Sequence, residues 1–146
     1  MDQEYSVGRW LSILHRYSRM HFAHRLSLQG IAGAQIPFLK SLYREDGQSQ
    51  DELTLFLRVD PATTTRALAK LEKQGYIVRR PDPKDARVKR VFLTEAARQI
   101  EPELSARLHE WSEKLTEGFS DEERDLIASF LSRMAQNAEQ AMNDDD

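Results

Sequence analysis

Apolar residues recur along this chain at helical spacing, with one short interruption. Val7, Trp10, Leu14, Tyr17, His21, His24 and Leu28 follow one another at alternating steps of three and four, the stripe of a long amphipathic helix over 7–28. Gly30 and Gly33 break it. A second helix is expected at about 34–45, with Ile36, Leu39, Leu42 and Tyr43 as its apolar side and Pro37 in its first turn, where a missing N–H does little harm. Gly47 closes that helix. Ser49-Gln-Asp-Glu52 then forms a capping box before Leu53, Phe56 and Leu57, which predicts a short third helix with those residues inward. Asp60-Pro61 supplies an acceptor at the N-cap and a preset φ at the first helical position, and the fourth helix runs through Leu68 and Leu71 to Gly75.

After Gly75 the period changes to that of strands. Tyr76-Ile-Val-Arg-Arg80 and Val88-Lys-Arg-Val-Phe-Leu93 are rich in β-formers, and Pro81-Asp-Pro-Lys-Asp-Ala-Arg87 between them is charged and turn-forming. A two-stranded hairpin with a basic tip follows. Thr94 is placed to cap a helix carrying Ile100, Leu104, Leu108, Trp111 and Leu115, bent near its start by Pro102. Gly118 interrupts it. Ser120-Asp-Glu-Glu123 is a second capping box, opening a last helix with Leu126, Ile127, Phe130, Leu131 and Met134 inward.

Charge sharpens the picture. Residues 58–90 hold ten Lys/Arg against four acids, a net of +6, whereas the whole chain carries −3, so the remainder stands at −9. A cationic window in an acidic chain concentrates attraction for a polyanion on one surface. Charge alone equally describes a solvated face. The order of elements decides between the two: helix, short helix, turn, helix, basic hairpin is a winged helix-turn-helix. A helix with small polar residues in its N-terminal half can enter the major groove, about 12 Å wide, and reach base edges. Ala62-Thr-Thr-Thr-Arg66 suits that entry, with hydroxyls and methyls for bases. By helical phase Thr64, Leu68 and Leu71 turn inward, leaving Thr63, Thr65, Arg66, Lys70 and Lys73 toward DNA. The hairpin tip, with Lys84, Asp85, Arg87 and Lys89, lies along the adjacent minor groove, where Arg87 meets an enhanced negative potential and Asp85 holds its guanidinium.

These residues carry a resemblance. Ser49-Gln-Asp-Glu-Leu53, Val59-Asp-Pro-Ala-Thr-Thr-Thr-Arg66, Leu71-Glu-Lys-Gln-Gly-Tyr-Ile-Val-Arg79, Asp82-Pro-Lys-Asp-Ala-Arg87 and Leu93-Thr94 resemble the MarR family of transcription regulators over almost the whole chain, most densely from 49 to 94. The resemblance implies a mainly α fold with a small β-hairpin wing. It implies a homodimer in which helical segments 1–33 and 95–146 intertwine, and a lobe, 34–94, that binds double-stranded DNA. Helix 60–75 would sit in the major groove and wing 79–90 in the minor groove of a pseudo-palindromic operator. It also implies a repressor released by a small, often phenolic or aromatic anionic ligand. Two positions depart from the family pattern. Thr64 stands where an apolar residue is common, which would loosen the helix's seat, and Ala97 stands where Gly is usual, which favours helix.

Other chemistry is thin. With no cysteine there is no disulfide, thiolate metal site or thiol switch in this chain. No Gly-rich phosphate loop, His-Glu-x-x-His or G-x-S-x-G supplies an enzyme site, and no cofactor is expected. No stretch approaches the roughly 20 apolar residues of a membrane span, and the N-terminus lacks a basic region followed by an apolar run, so a cytoplasmic, nucleoid-associated protein is expected. His21 and His24, at i, i+3, admit two readings, a pair of Zn²⁺ ligands in a metal-responsive regulator or interface groups of the first helix. Trp10, Tyr17, His21 and Trp111 are likewise either core and interface residues or the aromatic walls of an effector pocket. A winged helix used for protein or RNA contact is the remaining alternative, because fold alone does not fix function.

Overall fold

A computed structural model describes residues 6–26 and 30–144. Leu28 at the end of the first apolar stripe, and Asp145-Asp146 of the acidic tail, lie outside the described residues, as does the side chain of Arg25. The chain forms α1 (Val7–Leu26), a 3₁₀ turn (Gly33–Gln35), α2 (Ile36–Arg44), α3 (Gln50–Leu57), α4 (Pro61–Lys73), β1 (Ile77–Pro81), β2 (Lys89–Leu93), α5 (Glu95–Leu115) and α6 (Asp121–Asp144). These make two compact units, Met1–Leu104 and Ser105–Asp146.

The first unit has a core of Ile31, Ile36, Phe38, Leu39, Leu42, Leu53, Leu68, Leu71, Ile77 and Val91. Its elements begin where local chemistry says they should. The Ser49 hydroxyl accepts from the Glu52 N–H at 3.0 Å, and the Ser49 N–H donates back to the Glu52 carboxylate at 2.9 Å, which starts α3. α3 ends at Arg58, whose φ of 54° puts it in the left-handed region. Asp60 caps α4 and Pro61 opens it. Past Gly75 (φ +81°) the chain turns into β1, which pairs antiparallel with β2 from Ile77↔Leu93 to Pro81↔Lys89. Pro81, expected in the turn, closes the strand instead.

The hairpin does not stand alone. The Val91 N–H donates to the Gln48 carbonyl at 2.9 Å, the Gly47 N–H donates to the Val91 carbonyl at 3.0 Å, and Ser49 bridges to Arg90. This backbone clasp fixes the wing to the α2–α3 loop. It needs Gly47, whose φ is +78° and where a Cβ would meet the Phe92 ring at 3.0 Å.

Three sequence expectations are corrected by burial. Phe56 does not turn inward: it is more than half exposed, with the Arg44 guanidinium stacked 3.9 Å from its ring centroid. Thr64 does not loosen the α4 seat. It is 1% exposed, and its hydroxyl oxygen lies 2.8 Å from that of Thr54 on α3. In α6 none of the residues is buried within the chain, and Leu126, Phe130 and Leu131 are exposed. The apolar period was read correctly, but nothing in one chain covers it. α1 behaves in the same way, with Val7, Trp10, Leu14 and Tyr17 all exposed.

The second unit holds the end of α5, the turn at Gly118 and α6. The Ser120 box forms as expected, Glu123 N–H to Ser120 Oγ at 3.1 Å and Ser120 N–H to the Glu123 carboxylate at 2.8 Å. Arg124 reaches back to the Glu113 carboxylate at 2.6 Å, closing the α5–α6 turn.

Candidate nucleic-acid interface

The reading face of α4 follows from its phase. Thr64, Ala67, Leu68 and Leu71 are buried, so the opposite side leaves Thr65, Arg66, Lys70 and Lys73 exposed and Thr63 half-exposed. At the N-cap, Asp60 accepts twice from one residue, from the Thr63 N–H at 2.8 Å and from its hydroxyl at 2.6 Å. Thr63 Oγ1 in turn accepts from the Arg66 guanidinium at 3.4 Å. The Thr65 hydroxyl donates to the Pro61 carbonyl at 3.0 Å. The sequence suggested free hydroxyls for base edges; both protons are already committed to the helix's own N-terminal turn, and what faces outward are methyls, lone pairs and Arg66. The Thr63 hydroxyl, with Arg66 adding its charge, holds the Asp60 carboxyl below its usual value.

The wing tip is built around two aspartates. Asp82 accepts from the Lys84 N–H at 2.7 Å and the Asp85 N–H at 3.2 Å, and takes the Arg90 guanidinium as its ion-pair partner. Asp85 receives the Arg87 side chain in a fork, Nε to Oδ1 at 3.0 Å and Nη2 to Oδ2 at 3.1 Å, and also its backbone N–H at 3.1 Å. Each guanidinium lowers the pKa of the carboxylate it meets, Arg90 for Asp82 and Arg87 for Asp85. The Arg87 side chain is 91% exposed. It is therefore aimed without being covered, the condition for insertion into a groove. Lys84 and Lys89 flank it, both exposed.

Not all of the window's charge is available to a ligand. Arg79 donates to the Glu72 carboxylate at 3.0 and 3.2 Å and to Gln50 at 3.3 Å, tying β1 to α4 and α3. Arg90 donates to the Gly47 carbonyl at 3.0 Å as well as meeting Asp82. These two cations hold the lobe together. The sequence counted them only as charge, because partners separated by 7 to 43 residues leave no local signal.

The effector and metal candidates are placed as follows. Trp10, Tyr17 and His21 share one face of α1; Trp10 lies under the Arg9 guanidinium at 4.9 Å, and His21 meets the edge of Phe22 at 5.3 Å. Trp111, half-buried, belongs to the second unit. His24 is exposed, and among the described residues no group of three His, Asp or Glu side chains is arranged to hold a metal ion.

A tri-helical lobe with a clasped, cation-tipped hairpin defines a winged helix-turn-helix protein of the DNA-binding class. Residues 33–89 match the model of the MarR family. The chain is 33% identical over 105 residues to the HTH-type transcriptional regulator YybA of Bacillus subtilis (strain 168), covering 72% of this chain and 70% of that one. A MarR transcriptional regulator from Methanosarcina mazei Go1 shares 39% identity at a TM-score of 0.83, over 92% of this chain and 97% of that one. Bordetella bronchiseptica BpsR, whose DNA binding is regulated by 6-hydroxynicotinic acid, shares the fold at a TM-score of 0.83 and 21% identity, over 92% and 96% of the two chains. The chain belongs to the MarR family: it is a helix-turn-helix transcriptional regulator and not an enzyme.

Proposed function

We propose that this regulator is a homodimeric repressor that reads a pseudo-palindromic operator, with helix 60–75 in the major groove and wing 79–90 in the minor groove. The observation that carries this reading is Arg87, open to solvent at the wing tip yet held in a two-pronged grip by Asp85. An arginine so presented suits the negative potential of a narrow minor groove. Arg66, Lys70 and Lys73 on α4 and Lys84 and Lys89 on the wing supply the major-groove and phosphate contacts. Residues 34–94 are the DNA-binding lobe and residues 1–33 and 95–146 the dimerisation region. The apolar residues left open on α1, and separately on α6, support the second assignment, since faces of this kind on a soluble chain mark a partner surface.

The effector in this reading is a small aromatic acid. Trp10, Tyr17 and His21 on α1 offer rings with polar edges, and BpsR is a precedent on the same fold for control by an aromatic acid. Such a ligand releases DNA only through unequal affinity for the DNA-competent and incompetent states. No helix among the described residues is long and apolar enough to cross a membrane, and the reading places the protein in the cytoplasm with its DNA.

A mobility-shift titration on the DNA flanking its own gene, repeated across a salt series, tests the proposal. The expected result is one dimer per palindrome, with a log K against log salt slope equivalent to several released counterions. A salt-independent affinity removes the DNA reading. Sedimentation giving a folded monomer at micromolar concentration removes the dimer.

A further inference from the structure

The N-terminal turn of α4 contains a three-residue relay with a defined direction. Asp60, fully outside the helix, can only accept. Thr63 has one hydroxyl proton, and at 2.6 Å that proton lies toward Asp60 Oδ2. Its oxygen is left with lone pairs only, and Arg66, with nothing but donors, faces it at 3.4 Å. The polarity of the reading surface is thus set by a residue that does not itself point along it. Thr65 repeats the pattern, its proton directed to the Pro61 carbonyl.

We propose that Asp60 is a specificity-determining positioning residue: by taking the Thr63 hydroxyl proton it presents Thr63 as a methyl and an acceptor, and steers Arg66. This rests on α4 entering the major groove. The helix then offers methyls suited to thymine, acceptors suited to the exocyclic amines of adenine or cytosine, and one guanidinium suited to guanine. Hydroxyl donors for purine N7 are absent from this surface.

The test uses the full-length protein and a randomised half-site library. Asp60→Asn keeps the N-cap, for which Asn and Asp are equivalent. Its oxygen must still accept the Thr63 N–H, so its NH₂ donates to Thr63 Oγ1 and the hydroxyl proton is released toward the groove. The expected result is a change of about fivefold or more in preference at one or two adjacent base pairs. Thr63→Val should alter the same positions, and in that background Asp60→Asn should add nothing, since the relay is already cut. Thermal unfolding checks that the variants are folded, and Asp60→Ser, which keeps the cap but not the second oxygen, replaces Asp60→Asn if that variant is not. A uniform rise in affinity across the library with unaltered preferences overturns the proposal, because Asp60 would then act only as a charge near phosphate. An Arg66→Ala protein that still binds DNA with the wild-type preferences overturns the placement of α4 itself, and the proposal with it.

Discussion

The hydroxyl oxygens of Thr54 and Thr64 lie 2.8 Å apart in the seam between α3 and α4, and Thr54 Oγ1 is also 2.9 Å from the Gln50 carbonyl oxygen. One proton cannot serve both. The carbonyl has none to give, so Thr54 donates to it and Thr64 donates to Thr54. The two threonines are therefore unequal. Thr54→Val strands the buried Thr64 hydroxyl and should cost about 1–3 kcal/mol, whereas Thr64→Val leaves Thr54 its carbonyl partner and should cost about 1 kcal/mol or less. The double variant should be more stable than Thr54→Val alone. Urea unfolding of the three proteins checks the order, and equal losses for the two single variants would contradict the assigned proton direction.

Wing and helix should differ in kind. Arg87→Ala is expected to weaken operator binding by roughly 1–3 kcal/mol, most with A·T-rich flanks, because the contact is to groove shape. Lys70→Ala should lower affinity equally for all sequences and reduce the salt slope by about one. Binding of both variants to a library with varied flanks separates the two; identical, sequence-blind losses would make Arg87 a phosphate contact.

Stability should be bounded on both sides by pH. Arg90 beside Asp82, Arg87 beside Asp85, Arg79 beside Glu72 and Thr63 beside Asp60 hold these carboxyls below their ordinary values of 3.8, or 4.5 for Glu72. A depressed folded pKa contributes stability that is full above the ordinary value and is lost as pH falls through the folded one. Burial pushes Tyr43, whose hydroxyl donates to the Ala97 carbonyl at 2.5 Å, from 10.0 to about 12. That raised pKa contributes stability that is full below pH 10 and is lost as pH rises toward 12. Urea midpoints against pH should form a plateau that falls on the acid side below about 4, and Tyr43→Phe should make the alkaline fall shallower.

Arg58 terminates α3 with φ 54°, the only positive φ at a non-glycine among the described residues. A side chain there crowds the following carbonyl, and glycine does not. Arg58→Gly should raise stability by about 1 kcal/mol, seen as an increase of a few degrees in Tm. A lower Tm would mean that contacts of the Arg58 side chain outweigh the backbone strain.

A salicylate-like acid should raise the Tm of the free protein, quench tryptophan fluorescence and weaken operator binding over one concentration range. Tyr17→Ala and His21→Ala should each weaken these responses. Unchanged ligand affinity in both would move the pocket away from α1 and leave these residues to the interface.

The sequence by itself determined where elements start and stop. Capping boxes at Ser49 and Ser120, the Asp60-Pro61 start and the Gly75 stop act over three or four residues, so one chain is enough to read them, and the phase of α4 and the Asp85–Arg87 grip are local in the same sense. Partnerships across the fold were decided only by tertiary structure. Arg79 with Glu72, Arg90 with Asp82 and the Gly47 carbonyl, the Gln48–Val91 clasp and the Thr54–Thr64 pair join residues that no periodicity connects. These contacts turned two cations of the basic window into struts and made a polar residue, Thr64, part of the core. Even within four residues, the committed protons of Thr63 and Thr65 were invisible to sequence, because a hydroxyl's direction depends on which acceptor the folded turn brings within 3 Å. For α1 and α6 the sequence gave apolar period without a partner, since hydrophobic spacing specifies a face to be covered and not the surface that covers it.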